Sequence, residues 1–299
     1  MGATLPSTGE NAVPHGKRHG KEMIGRRMLS YIEVDSPIHS LCGATKLIIF
    51  VLWSILVMVS FYTPVLLVLA LMGIVFFIVS KIHFSDISFI IKMMSLFLAL
   101  NLAAVYLFSP EEGVKIYQSR HVIWEGMGRF TLTAEQIFYE FNIFLKYITL
   151  IPPAILLMVT THPSEFAASL NSIGVPYTAS YSVSLTLRYI PDVQRDYETI
   201  SQAQQARGLE LSRKASWFRR IKRTVPLLLP LIFSSLDRID VVSRAMELRG
   251  FGKNTRRSWY SARAFGRRDK CVLAAGILLF SFGIWLTFRG GNRFFNPFK

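Results

Sequence analysis

The chain has 299 residues, 51% of them hydrophobic and only 18% charged, with a mean hydropathy of +0.36. That balance excludes an ordinary soluble domain, which rarely combines such values with long runs free of charge. The net charge of +15 is uneven, because residues 161–270 hold nineteen Lys and Arg against nine Asp and Glu. Basic residues retained on the cytoplasmic side of membrane spans explain this, and no zinc-finger spacing or RNA-binding signature supports a nucleic-acid partner.

The first 30 residues are polar and include "GKRHGKEMIGRR". No apolar core or small-residue cleavage site follows, so the segment reads as a disordered cytoplasmic tail rather than a signal peptide. The membrane domain is expected over 31–160. Residues 47–80 contain no Asp, Glu, Lys, Arg or His, a run too long for one span. "FYTPVLL" divides it, with Pro64 suited to a first helical turn, so two spans are predicted near 42–62 and 64–80. A third span is predicted near 90–108. Residues 109–136 read as a loop carrying an interfacial Trp124. The fourth span covers 138–160, with a kink expected at Pro152 and Pro153 and with Lys146 snorkelling to its outer end.

Two further apolar runs, 173–187 and 225–236, are about a dozen residues long, after which charges arrive at helical spacing. Burying Asp237, Arg238 and Asp240 at mid-bilayer would cost about 2.5–3.5 kcal/mol each. Amphipathic helices on the membrane surface are therefore predicted. Leu236, Ile239, Val242 or Val241, Met246 and Leu248 form a stripe of helical period opposite Asp237, Asp240, Arg244 and Glu247. Residues 161–270 thus read as a basic, helical cytoplasmic module. The fifth span is predicted at 271–288, within a last segment 271–299. The fold class is all-α integral membrane: about five transmembrane helices plus long amphipathic cytoplasmic helices.

Inside the module a device occurs twice. "SQAQQARGLELSRK" (201–214) and "SRAMELRGFGKNTR" (243–256) share Ser-x-Ala-x-x-x-Arg-Gly. Gly208 and Gly250 suit helix C-caps, and a cation in the last turn favours the helix dipole by about 0.3–1 kcal/mol. Repetition in one register points further. Ala203 and Ala245 sit one turn before Arg207 and Arg249 and permit close approach, and an Arg fork suits an acidic or carbonyl-lined groove. A repeated device implies a repeated partner.

With these motifs the chain resembles the membrane scaffold subunits of energy-coupling factor importers, the EcfT/CbiQ family, from Tyr31 to about Trp285. "SPIHSLCGATKL" is similar to the family's first motif in Ser36, Pro37, His39, Leu41, Thr45 and Lys46, but has Cys42-Gly43-Ala44 where Asp-Pro-Arg is usual. "TTHPSEFAASLNSIGVP" (160–176) and "RYIP", with Arg188 and Pro191, also match. Ala206-Arg207-Gly208 keeps the family's Ala-Arg-Gly, and Leu248-Arg249-Gly250 departs from it only in Leu248. The resemblance implies that two coupling helices dock their Arg-Gly tips on two ABC-type ATPase subunits. It also implies that the membrane helices hold a small substrate-binding subunit, in the plasma or inner membrane of a bacterial or archaeal cell. ATP and Mg²⁺ would then bind the partner ATPases, and this chain would bind no cofactor directly. "ELRGFGKNTRRSWY" resembles scaffolds dedicated to thiamine or its pyrimidine precursor; metal, biotin and several vitamins stay open.

Catalytic signatures are missing from the sequence. No phosphate-binding Gly-x-x-x-x-Gly-Lys-Ser/Thr occurs, and the charge-free runs hold no Asp, Glu or His. Cys42 and Cys271 fit no metal spacing. The rival reading is a membrane-anchored enzyme that binds anionic lipid or nucleotide substrates on its basic module. The predicted topology places the amino terminus and 161–270 in the cytoplasm and the carboxyl terminus outside. A single cysteine introduced at Ser212 should escape an impermeant thiol reagent added from outside; efficient external labelling there would refute this topology.

Overall fold

The structure, a computed structural model, describes residues 38–80, 82, 84–125, 130–208, 217–253, 258–260, 262–289 and 294–298, without the side chains of 84–87 and 217–223. The tail expected over 1–30, and Ser36 and Pro37, lie outside the described residues. The described chain is mostly helical: α1 (Gly43–Val59), α2 (Thr63–Val79), α3 (Phe84–Phe108), α4 (Glu112–Tyr117), α5 (Ala134–Thr160), α6 (Pro163–Ser172), α7 (Tyr177–Ala206), α8 (Trp217–Leu248) and α9 (Arg267–Phe288). A small antiparallel ribbon, β1 (Val122–Trp124) with β2 (Leu132–Thr133), precedes α5. Among the described residues, α3 over Ser88–Phe108, α5 and α9 are long and apolar enough to cross a membrane, and α1 and α2 are shorter apolar helices of 17 residues. Such a length lies at the lower end of what spans a bilayer, about 17–25 residues. This is an all-α membrane protein.

The first and last described helices are locked side by side. Cys42 N–H donates to the Asp269 carboxylate and Thr287 Oγ1 to Ser60 Oγ, and both pairs are separated by 227 residues. Between them, at the same offset, Ile49 faces Gly276 and Leu56 faces Gly283, where an added Cβ would lie 3.4 Å and 2.7 Å from those side chains. Helices α1 and α9 are therefore parallel, with contacts stepping in heptads as in a left-handed supercoil. Small residues let membrane helices approach this closely, which is why the glycines fall at the seam.

Helix α5 packs against α1 and α2 around a core of Trp53, Leu56, Val57, Val65, Leu66, Leu69 and Leu145. The helix runs unbroken through Pro152 and Pro153. Pro153 has no N–H, so the Thr149 carbonyl loses its helical donor. The buried Trp53 indole replaces it, donating to Thr149 O at 3.1 Å. Gly73 of α2 lies against the Pro152 ring, 3.7 Å from where its Cβ would be. Thr63 Oγ1 donates to Asn142 Oδ1, satisfying polar groups that hydrocarbon would penalise.

Hydropathy predicts the fourth span from 138 and a loop over 109–136. Instead α5 begins at Ala134, because the Thr133 hydroxyl accepts from Gln136 N–H, a Thr-x-x-Gln capping signature readable in "TAEQ". Helix α4 and the ribbon occupy part of the expected loop, and Trp124 is 64% exposed. At this end the chain returns after α9: Phe295 N–H donates to Phe61 O, and Asn296 Nδ2 donates to Tyr117 O. Lys146 reaches the same end, donating to Met58 O and lying over the Phe61 ring.

Trp53→Phe should destabilise the bundle by about 1–3 kcal/mol, the cost of a buried carbonyl left unpaired. Pro153→Ala restores an intrahelical donor to Thr149, so the Trp53→Phe penalty should shrink in that background. Thermal unfolding of the four proteins in detergent measures this, and an equal penalty in both backgrounds refutes the replacement.

Candidate functional site

The repeated arginine motifs terminate the two longest helices. Arg207 is the C-cap residue of α7, and Gly208, at φ +89°, donates its N–H to Gln205 O at 3.0 Å. At the end of α8, Gly250 takes φ +65° and donates to Glu247 O, while Phe251 N–H reaches back to Met246 O, both at 2.9 Å. The second set is a complete Schellman cap and the first carries the corresponding Gly bond. The glycines are therefore structural stops. Arg207 and Arg249 are exposed, as are Ala203, Ala206 and Ala245. Beside Arg249, Leu248 is 90% exposed.

The helices begin earlier than their amphipathic pattern suggests. Pro176 precedes α7, which spans both the apolar run and the charged run after it. Helix α8 likewise continues through Pro226 and Pro230. Val225, Leu228, Leu229, Ile232, Phe233, Leu236 and Ile239 all lie exposed along α8 at helical spacing.

Contacts between α7 and α8 fix where the tips point. Near the start of α7, Tyr181 and Tyr177 pack on Phe251, just beyond the end of α8, with centroids 4.7 Å and 5.8 Å apart. Trp259 also packs on Tyr177 and donates to Asn171 Oδ1. Further along, Arg238 of α8 donates to Asp196 of α7 at 2.6 Å, approaches Asp192 at 3.6 Å and lies over the Tyr189 ring. The helices are thus antiparallel, and Arg207 and Arg249 lie at opposite ends of the pair.

Asp196 and Arg238 are separated by 42 residues, the spacing of the two arginine motifs, so they occupy equivalent positions on the two helices. Equivalent positions that meet at a crossing are what a local two-fold relation requires. Each lies eleven residues before its Arg-Gly, so each arm extends about 16 Å beyond the crossing at 1.5 Å per residue. The sequence reading missed this contact, although the shared 42-residue offset was available as a signal.

The other motif residues fall elsewhere. His39, in the turn before α1, and Thr45 and Lys46, in its first turn, are buried, with Lys46 Nζ donating to Thr160 O at 2.9 Å. Arg188 and Pro191 lie exposed on α7, ahead of the crossing. The structure brings neither set to the arginine tips. Among the described residues there is no group of three or more His, Cys, Asp or Glu able to hold a metal ion.

Comparison with known proteins adds a family. Residues 35–259 match the model of CbiQ, described as cobalt transport protein. The chain is 29% identical over 272 residues to the energy-coupling factor transporter transmembrane protein EcfT of Streptococcus thermophilus, covering 87% of this chain and 98% of that one. It is 27% identical over 260 residues to the protein of the same name from Limosilactobacillus fermentum, with 84% and 93% covered. To that from Heliobacterium modesticaldum it is 27% identical over 256 residues, with 82% and 91% covered.

The crossing contact should show itself as a coupling energy. Half-exposed ion pairs contribute modestly, so the Arg238→Ala and Asp196→Ala cycle should give about 1 kcal/mol of interaction. A coupling energy of zero in detergent unfolding measurements would remove the ion pair as a fixed crossing point.

Proposed function

The chain belongs to the EcfT/CbiQ family as a transmembrane component of an energy-coupling factor transporter, and we propose that it joins two ABC-type ATPase subunits to a small substrate-binding membrane subunit. The observation that carries this reading is the antiparallel α7–α8 pair, which presents two exposed Arg-Gly ends in opposite directions from a crossing of equivalent residues. A two-fold presentation suits a partner built from two similar subunits. Each guanidinium would fork into an acidic or carbonyl-lined groove of one ATPase, and each cap glycine would hold the arginine at the helix end. ATP and Mg²⁺ would bind in the ATPases. Their opening and closing would then move the helix pair.

The exposed apolar stripe of α8 supports the remaining contacts, with the bilayer interface and the small membrane subunit. In this reading the module faces the cytoplasm of a bacterial or archaeal cell and the spans lie in its plasma or inner membrane. The substrate, whether vitamin or metal, is chosen by the small subunit.

Substitution of the tips separates docking from capping. If the arginines only complement helix dipoles, Arg207→Lys and Arg249→Lys keep the charge and change little. If they dock, Lys loses the fork and uptake falls. Removing one partner of a buried charged contact typically costs about 2–5 kcal/mol. The double Ala variant should therefore lose ATPase pull-down and uptake at normal expression, with Arg244→Ala as the neighbouring control. Wild-type uptake in the double Ala variant would refute the reading.

A further inference from the structure

The motif around Cys42 to Lys46 plays no part in the helix tips, yet it collects bonds from both places where the module joins the spans. The module departs at the end of α5. There Lys46 Nζ donates to Thr160 O at 2.9 Å, and Gly43 N–H donates to Glu165 Oε1 of α6 at 2.8 Å. The module returns at the start of α9. There Cys42 N–H donates to Asp269 Oδ1 at 2.9 Å, and Cys42 Sγ lies 3.4 Å from Arg263 O, which it can reach as donor. Arg263 links the two sides: its Nη1 donates to His39 O, and its Nε lies 3.9 Å from Glu165 Oε1.

Cys42, at the N-cap of α1, makes no side-chain cap bond, so the first N–H groups of α1 depend on carboxylates from two other helices. An anion at a helix N-terminus is favoured by the dipole. Glu165 and Asp269 are each 6% exposed, with Lys46 and Arg263 as the nearby cations. The fit is also steric, since a Cβ on Gly43 would lie 2.6 Å from Ser169 Oγ of α6.

We propose that this internal joint is a rigid clasp through which the module hands its displacement to α1 and α9, with Glu165 and Asp269 as its positioning residues. The proposal rests on the reading of α7 and α8 as coupling helices. Because both attachment points bind consecutive residues of one helix start, neither can shift without the other. A tilt of the module is then passed on to the spans instead of being lost at two independent junctions.

The test uses the full complex with its ATPases in liposomes, reading uptake per ATP hydrolysed beside ATPase pull-down. Glu165→Gln with Asp269→Asn keeps acceptor oxygens and shape but removes both charges. Uptake per ATP should fall at least about fivefold, with pull-down unchanged. A fall in assembly at unchanged uptake per ATP marks a joint that is merely structural, and overturns the proposal. The single variants Glu165→Gln and Asp269→Asn each loosen one attachment while the other stays bound, and each should lower uptake per ATP with pull-down unchanged. A single variant at wild-type uptake per ATP shows that the two attachments work independently, and also overturns the proposal. Failure of the wild-type chain to capture ATPases would sink the coupling reading together with the clasp, whereas capture with either adverse result sinks the clasp alone.

Discussion

The parallel seam between α1 and α9 is the constraint on which the rest of the molecule depends. It joins the first described helix to the last at one constant offset, marked by Cys42 with Asp269, Leu56 against Gly283, and Ser60 with Thr287. Because the seam is parallel, both helices begin at the same end of the bundle. Lys46 of α1 binds Thr160 O at the end of α5, so the long insertion between α5 and α9 leaves and re-enters at that one end. A module attached at two neighbouring points can act on the spans as a lever, which a loop tethered to opposite ends could not do.

Within the module, antiparallel packing follows from sequence economy. One contact, Arg238 with Asp196, lies at the same register position on both helices, so the arms beyond it are equal in length. The aromatic packing of Phe251 on Tyr177 and Tyr181 draws the second tip toward the start of α7. Each helix end is stopped by a glycine in the left-handed conformation, where any Cβ would be strained. The arginine beside it is thereby kept at a defined end rather than along a fraying turn. Charge, cap and spacing combine into a single presentation of two like groups.

Proline placement shows how the spans tolerate local cost. Helix α5 carries two prolines, and the carbonyl left without a helical donor by Pro153 is bonded by an indole from α1. In hydrocarbon no water could do this, so the missing bond has to be made by a neighbouring helix. The same defect that weakens one helix thus specifies its packing partner. Gly73 allows α2 to approach Pro152 closely.

Much of this was legible in the residues alone. Charge-free runs announced the apolar helices, because burying an ionisable group in a bilayer is costly over the whole length of a span. The 42-residue repeat announced the arginine tips and their glycine stops, because cap chemistry is local. The start of α5 is also legible, in Thr133 and Gln136, as cap chemistry that hydropathy does not register. Long-range pairing was not legible. Glu165 and Asp269 look like ordinary acids in sequence, and only folding brings them to the N–H groups of Gly43 and Cys42, more than a hundred residues away. The sequence by itself determined the long apolar helices and the glycine stops of α7 and α8, since those depend on neighbours within a turn or two. Tertiary structure alone decided that the tips point apart and that both ends of the module close on one helix start, since these depend on which faces meet across the bundle.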